Sequence, residues 1–190
     1  AREQKLNMNL ITFQEECEMN GVISKVTGGN TYGLIVIRQI SNEVLELLAK
    51  IKIPKVFVDL ISPQSSLYEV RINNFANMMS LTEYGIQKGH RRILFVGDVG
   101  WALSFEERYR GYVYTMKKYG IPCEAVTGSD KNRVYSFDRE TVRNKLKNNF
   151  YTAFVCVNDS VADYVYQDIR EQGFRIPEDI SVVGFDDVSK

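Results

Sequence analysis

The chain is poor in the residues that carry most metal and nucleophilic chemistry. Its 190 residues include one histidine, His90, and three cysteines, Cys17, Cys123 and Cys156, which are scattered and show no CxxC spacing. A zinc site needs several nitrogen or sulfur ligands at short spacing, so no metal and no cofactor are expected. A Ser-His-Asp triad would depend on His90 alone. An odd, dispersed set of cysteines fits a reducing, cytoplasmic location better than a disulfide scaffold. Charge of one sign is also missing, because 24 Lys+Arg and 24 Asp+Glu cancel. That removes the positive field with which proteins hold phosphate backbones, so this chain by itself is not expected to grip DNA. The densest basic stretch, Lys88, His90, Arg91 and Arg92, reads as a solvated turn before a strand. No apolar run approaches the roughly 20 residues that cross a bilayer, and no membrane partner is expected. Ala1-Arg2-Glu3-Gln4-Lys5 shows no signal-peptide core. The N-terminus reads as the middle of a helix, which suggests a fragment and leaves any leader undecided.

What is present is ample apolar material, 44% of residues, in short runs. The runs are Met8 to Phe13, Gly33 to Ile37, Lys55 to Asp59, Ile93 to Gly97, Glu124 to Thr127, Ala153 to Val157 and Ser181 to Phe185. Most are unbroken rather than alternating, as strands buried on both faces of a parallel sheet require. Between them lie helical stripes: Val44, Leu47, Leu48 and Ile51 after a Ser41-Asn42 cap; Phe75, Met78, Met79, Thr82 and Ile86; Tyr109, Tyr112, Val113 and Met116; Val161, Ala162, Val165 and Ile169. Gly89, Gly120 and Gly173 fall where left-handed C-caps are expected, and Pro54, Pro122 and Pro177 bar helix before a strand. These Met and Tyr stripes are core packing. Strict β-α alternation predicts an α/β fold with right-handed crossovers, each lobe a doubly wound parallel sheet flanked by helices. Leu60 to Asn73, with Pro63 inside it, reads as an extended crossing, which places lobe one at residues 1–71 and lobe two at 72–190.

In such sheets ligands bind outside the carboxyl ends of strands. The residues there are Gln14, Arg38-Gln39, Asp59, Gly97 to Trp101, Gly128-Ser129-Asp130, Asn158-Asp159-Ser160 and Asp186-Asp187. Carboxylates, amides, a guanidinium and an indole suit a polyhydroxyl ligand, which needs polar partners around its rim and an aromatic face against its C–H surface. The plainer alternative is that Asn158, Asp159 and Ser160 cap the following helix, with Asp159 the stronger capping candidate. Gly97 to Gly100 lacks both GxGxxG and GxxxxGK[ST] spacing, so a phosphate cradle is disfavoured. Asp186 and Asp187 are neighbours that point apart in an extended chain, with no third ligand spaced nearby, which argues against a metal or catalytic pair.

The run Ile176-Pro177-Glu178-Asp179-Ile180-Ser181-Val182-Val183-Gly184-Phe185-Asp186-Asp187 resembles the signature of the LacI/GalR family of bacterial transcription regulators. Gly89-His90-Arg91-Arg92-Ile93, Arg108-Tyr109-Arg110-Gly111-Tyr112, Val157-Asn158-Asp159 and Asn73-Asn74 keep that family's order. The resemblance implies a two-lobed, periplasmic-binding-protein-like fold with an effector cleft between lobes, and a non-enzymatic role in which a small molecule, commonly a sugar, shifts the population between forms of different operator affinity. Carried over by motif, Asp186 and Asn158 would bind ligand hydroxyls and Arg108 a ring oxygen, hydroxyl or carboxylate. Ser104 lies four residues before Arg108, on the same helical face. Phe137 matches a position where the family often stacks an aromatic. Asp59 and Trp101 are further wall candidates, Asp159 and Asp187 would cap or brace loops, and His90 would be structural. The family further implies a homodimer and operator DNA bound through an N-terminal helix-turn-helix domain, which this chain lacks. Its first strand, most of its first helix and a strand returning after Val188 are also missing, so lobe one is expected to be incomplete. A periplasmic sugar-binding protein of an importer would share the fold. An enzyme of flavodoxin-like or sugar-isomerase type is disfavoured by the missing nucleophile-base pairing.

Overall fold

The computed structural model describes residues 7–12, 19–37, 40–59, 68–100, 102–128, 137–148 and 150–188. They fall into two compact units, Ala1–Arg71 and Ile72–Lys190.

In the first unit, α1 (Met19–Thr27), β1 (Leu34–Ile37), α2 (Asn42–Lys50), β2 (Lys55–Val58) and β3 (Glu69–Val70) build a parallel sheet in the order β1-β2-β3. Helix α2 begins where Ser41 Oγ accepts a hydrogen bond from Val44 N at 3.3 Å, which satisfies one of the free amides of its first turn. Val44, Leu45, Leu48 and Phe57 form the unit's core, with Val22, Ile23 and Val36 packed on it. The opposite sheet face carries Ile35 and Ile37, 63% and 65% exposed, in register with Val56 and Val58.

Two expectations are corrected here. Residues 8–12 form no strand, and Met8 and Leu10 are exposed; Phe13 lies outside the described residues. A strand is made by pairing, and among the described residues none pairs with this run. The end of the expected crossing is instead the short strand β3. It has no apolar run to announce it and is held by the backbone bonds Phe57 N to Tyr68 O, 2.9 Å, and Asp59 N to Val70 O, 3.1 Å.

The second unit contains α3 (Asn74–Gln87), β4 (Ile93–Val96), α4 (Leu103–Lys118), β5 (Glu124–Val126), α5 (Arg139–Lys147), β6 (Ala153–Cys156), α6 (Asp159–Glu171) and β7 (Ser181–Val183). All pairings are parallel, in the order β5-β4-β6-β7. Every residue of β4 and β6 is buried, which is why their sequences ILFV and AFVC are unbroken. The helical stripes face this core, with Met78, Ile86, Tyr112, Met116, Val161, Val165 and Ile169 all buried. Tyr112 spans it, and its hydroxyl lies 3.0 Å from the Ile93 carbonyl and 2.9 Å from that of Glu124. Burial pushes its ionisation above the usual phenol range. Gly111 lets α4 lie close against α3, because a Cβ there would come within 2.5 Å of the Phe75 carbonyl oxygen. No described helix is long and apolar enough to cross a membrane.

The chain leaves β4 for β5 on one side and later for β6 on the other, so the order reverses at β4. That reversal opens a crevice at the carboxyl ends of β4 and β6, where the functional residues of doubly wound sheets collect.

Candidate functional site

Arg108, in the second turn of α4, is only 4% exposed. A buried guanidinium is tolerated when its donors are taken up, and here each nitrogen has a partner. Nε donates to Asn74 Oδ1 at 2.9 Å, Nη1 to the Val157 carbonyl at 2.9 Å, and Nη2 pairs with Asp186 Oδ1 at 2.9 Å. Its plane lies over the Phe185 ring, 3.8 Å from the centroid, a close cation–π contact. One side chain thus ties α4 to the start of α3, the end of β6 and the loop after β7.

Asn74 is itself 3% exposed, and its Nδ2 donates to Ile72 O at 3.3 Å and Glu107 Oε2 at 3.2 Å. Asn158 is 4% exposed and is the N-cap of α6, its Oδ1 accepting from Val161 N at 3.0 Å. Of the capping candidates Asn158, Asp159 and Ser160, it is Asn158 that caps the helix, and Asp159, expected to cap or brace a loop, does the second. Asp159 is the first residue of α6, and its Oδ2 accepts from Val188 N at 2.7 Å, while its own N donates to Phe185 O at 2.9 Å. Asp159 thus braces the loop after β7. In that loop Asp186 and Asp187 have φ of 101° and 55°, a region that non-glycine residues rarely occupy. Gly184 precedes them where a Cβ would run into the Asp159 carboxylate. Beside this loop is a cavity of about 530 Å³ lined by Asn77, Ser80, Leu81, Asp159, Gly184, Phe185, Asp186 and Asp187.

The fold therefore brings Arg108 and Asp186 into direct contact, with Asn158 next in chain to the carbonyl that Arg108 holds. Ser104 lies one turn before Arg108 on α4 and is half-buried. Phe137 packs instead against the core of the second unit and beside Tyr164, ring centroids 6.3 Å apart, and is not among the cavity's lining residues. Asp59 ends β2 in the first unit with φ 55°. Trp101 lies outside the described residues. Asn74, Phe185 and the Val157 carbonyl were missed as members of the cluster. The signal available was the buried arginine itself, which demands acceptors wherever it goes. Among the described residues no group of His, Cys, Asp and Glu could hold a metal ion. Cys156 is fully buried, and burial raises its thiol pKa above the usual range, which makes it an unreactive core residue.

Comparisons with known proteins bear on this arrangement. The family described as the periplasmic binding protein-like domain matches residues 82–190. The arabinose metabolism transcriptional repressor of Geobacillus stearothermophilus is 32% identical over 147 residues, 74% of this chain and 40% of that protein. A regulatory protein of the LacI family from Chloroflexus aggregans superposes with a TM-score of 0.71 at 24% identity, covering 92% of this chain and 64% of the other. A LacI-family transcriptional regulator from Enterococcus faecium with bound ribose gives 0.70 at 21% identity, covering 88% and 63%. The chain belongs to the periplasmic binding protein-like domain family. Its curated relatives are named as transcriptional repressors and regulators, and its fold is shared with solved regulators of the LacI family. It spans less than half the length of the curated relatives it matches.

Proposed function

We propose that this chain binds a small polyhydroxyl effector, a sugar, at the carboxyl ends of the second unit's strands, and that binding changes the operator affinity of a LacI-type regulator. The observation that carries the reading is the convergence of Arg108, Asp186, Asn158 and Asn74 on the reversal of strand order, beside a cavity whose wall combines the polar side chains of Asn77, Ser80, Asp159, Asp186 and Asp187 with the apolar surface of Leu81 and Phe185. In this reading Asp186 accepts from ligand hydroxyls, Asn158 donates through Nδ2 because its oxygen is engaged with the helix, and Ser104 adds a hydroxyl on the face of Arg108. Arg108 holds the constellation in shape. Phe137, Asp59 and Trp101 are assigned no contact.

The role is binding rather than turnover, in the cytoplasm, as a homodimer whose operator contacts belong to a helix-turn-helix domain. Support comes from the relatives. They are named as transcriptional regulators, one for arabinose metabolism and another solved with ribose, and their company disfavours the importer reading. Coupling of this kind is typically about 1–3 kcal/mol between ligand and DNA. The test is operator binding by the intact regulator, followed by fluorescence anisotropy with and without a panel of pentoses and hexoses. A change of about fivefold or more in affinity with at least one sugar is expected. Operator affinity unmoved by every sugar that binds would refute the regulatory role.

A further inference from the structure

We infer that Asp159 is a positioning residue for the effector site: from the first turn of α6 it sets the backbone of the loop after β7, so that Asp186 meets the ligand while Asp159 itself does not. This rests on the reading of Asp186 as a contact for ligand hydroxyls.

The pairing of β7 with β6 ends at Val183. The chain from Gly184 to Val188 therefore runs on beyond the sheet, without a ladder to fix its backbone. Within it Asp186 and Asp187 have φ of 101° and 55°. Such a backbone costs free energy for residues that carry a Cβ, and it persists where the surroundings over-determine it. One residue supplies a hold on each side of the strained pair. The Asp159 amide donates to Phe185 O at 2.9 Å, and Asp159 Oδ2 accepts from Val188 N at 2.7 Å. The other carboxylate oxygen is seated at Gly184, where a Cβ would overlap it. Three points of contact thus bracket Asp186 and Asp187.

The residue that makes these contacts is itself firmly placed. Helix α6 starts at the Asn158 cap and buries Val161, Val165 and Ile169 completely, so its first turn is fixed against the core. Asp186 has a short side chain, and its carboxylate can lie only a little way from its Cα. Where the loop holds that Cα decides whether Oδ1 reaches Arg108 Nη2, 2.9 Å away, with the side chain still 34% exposed. Loss of the hold at Val188 would let Asp186 and Asp187 leave their strained conformation, and ligand binding would then carry the cost of ordering them. Asp159 also lines the cavity, so holding the loop has to be separated from touching the ligand.

A double-mutant cycle makes that separation. Titration calorimetry on the intact regulator uses whichever of D-ribose, L-arabinose, D-xylose, D-glucose and D-galactose binds the wild type. Asp159→Ala should bind it at least about fivefold more weakly. Asp159→Asn keeps an oxygen for Val188 N without the charge and should stay within about twofold of wild type. In an Asp186→Ala background, Asp159→Ala should cost less than about twofold, because the residue it acts through is gone. The full loss in both backgrounds would mark a direct ligand contact and overturn the assignment, as would an Asp159→Ala protein that binds like wild type. Gly184→Ala drives the carboxylate from its seat and reaches the same hold from the other side; it should weaken binding in the same way. Hydrogen exchange needs no sugar. The Val188 amide should exchange at least about tenfold faster in Asp159→Ala and in Gly184→Ala than in the wild type or Asp159→Asn, with the amides of β6 unchanged. Unchanged exchange at Val188 in both variants overturns the inference and leaves the effector site standing. Failure of every sugar to bind removes the proposed function, and exchange at Val188 then decides whether Asp159 holds the loop.

Discussion

A guanidinium taken out of water is stabilising only while its partners stay in place, and Arg108 has three of them on different elements. Lysine offers one compact charge and cannot span Asn74, Val157 and Asp186 together. Arg108→Lys should therefore lower stability by about 1–3 kcal/mol, read from urea midpoints at unchanged slope, even though net charge is conserved. Asp179 behaves differently, at the chain's entry to β7. It accepts from the Arg175 backbone N at 2.8 Å and pairs with that guanidinium at 2.8 Å. The hydrogen bonds from Arg175 pull its carboxyl from an ordinary 3.8 down to about 2. A lowered folded-state pKa gives stability that is complete above the unfolded value and is lost as pH falls through the folded one. The stability difference between wild type and Asp179→Asn should thus be constant from pH 7 to about pH 5, and its ionic part should fade between about pH 4 and pH 2. Thermal unfolding of both proteins across that range checks it; a difference that grows as pH falls would contradict the sign.

Among the elements, helices and buried strands were legible because their signals are local. The stripe at Val161, Val165 and Ile169 and the runs of β4 and β6 state their burial directly. Elements defined by a partner were not. Residues 8–12 have strand composition and no ladder among the described residues, whereas Glu69–Val70 has a ladder and no apolar run. Contacts between helices were equally hidden. Asp168 on α6 is wholly buried and bonded to Arg139 Nε at 2.8 Å and Arg143 Nε at 2.7 Å on α5, though nothing in the spacing of those residues announces it. Both arginines can turn to solvent when the carboxylate is removed, so Asp168→Ala should cost about 1–3 kcal/mol rather than abolish folding. Gly111 is stricter. Its neighbour is the backbone of α3, and Gly111→Ala should destabilise by about 1–3 kcal/mol despite alanine's better helix propensity. Calorimetric unfolding of the two variants measures both effects.

For the molecule as a whole, the strand ends could be named from sequence because parallel α/β topology fixes where polar loops gather. Asp186 and Asn158 were found that way, and Arg108 through the resemblance. What could not be read was how those groups divide their bonds. The oxygen of Asn158 serves the helix, Asp159 holds the loop, and Arg108 is joined to Asp186 rather than left open. Those assignments depend on distances between residues far apart in the chain, for which one sequence carries no signal. The central claim is that this cluster is an effector site, and isothermal titration of wild type and Asp186→Ala with the sugar that most raises the wild-type melting temperature tests it most directly. The account predicts saturable binding by the wild type and at least about a tenfold loss in Asp186→Ala with the fold retained. Equal affinity in the two proteins would contradict it.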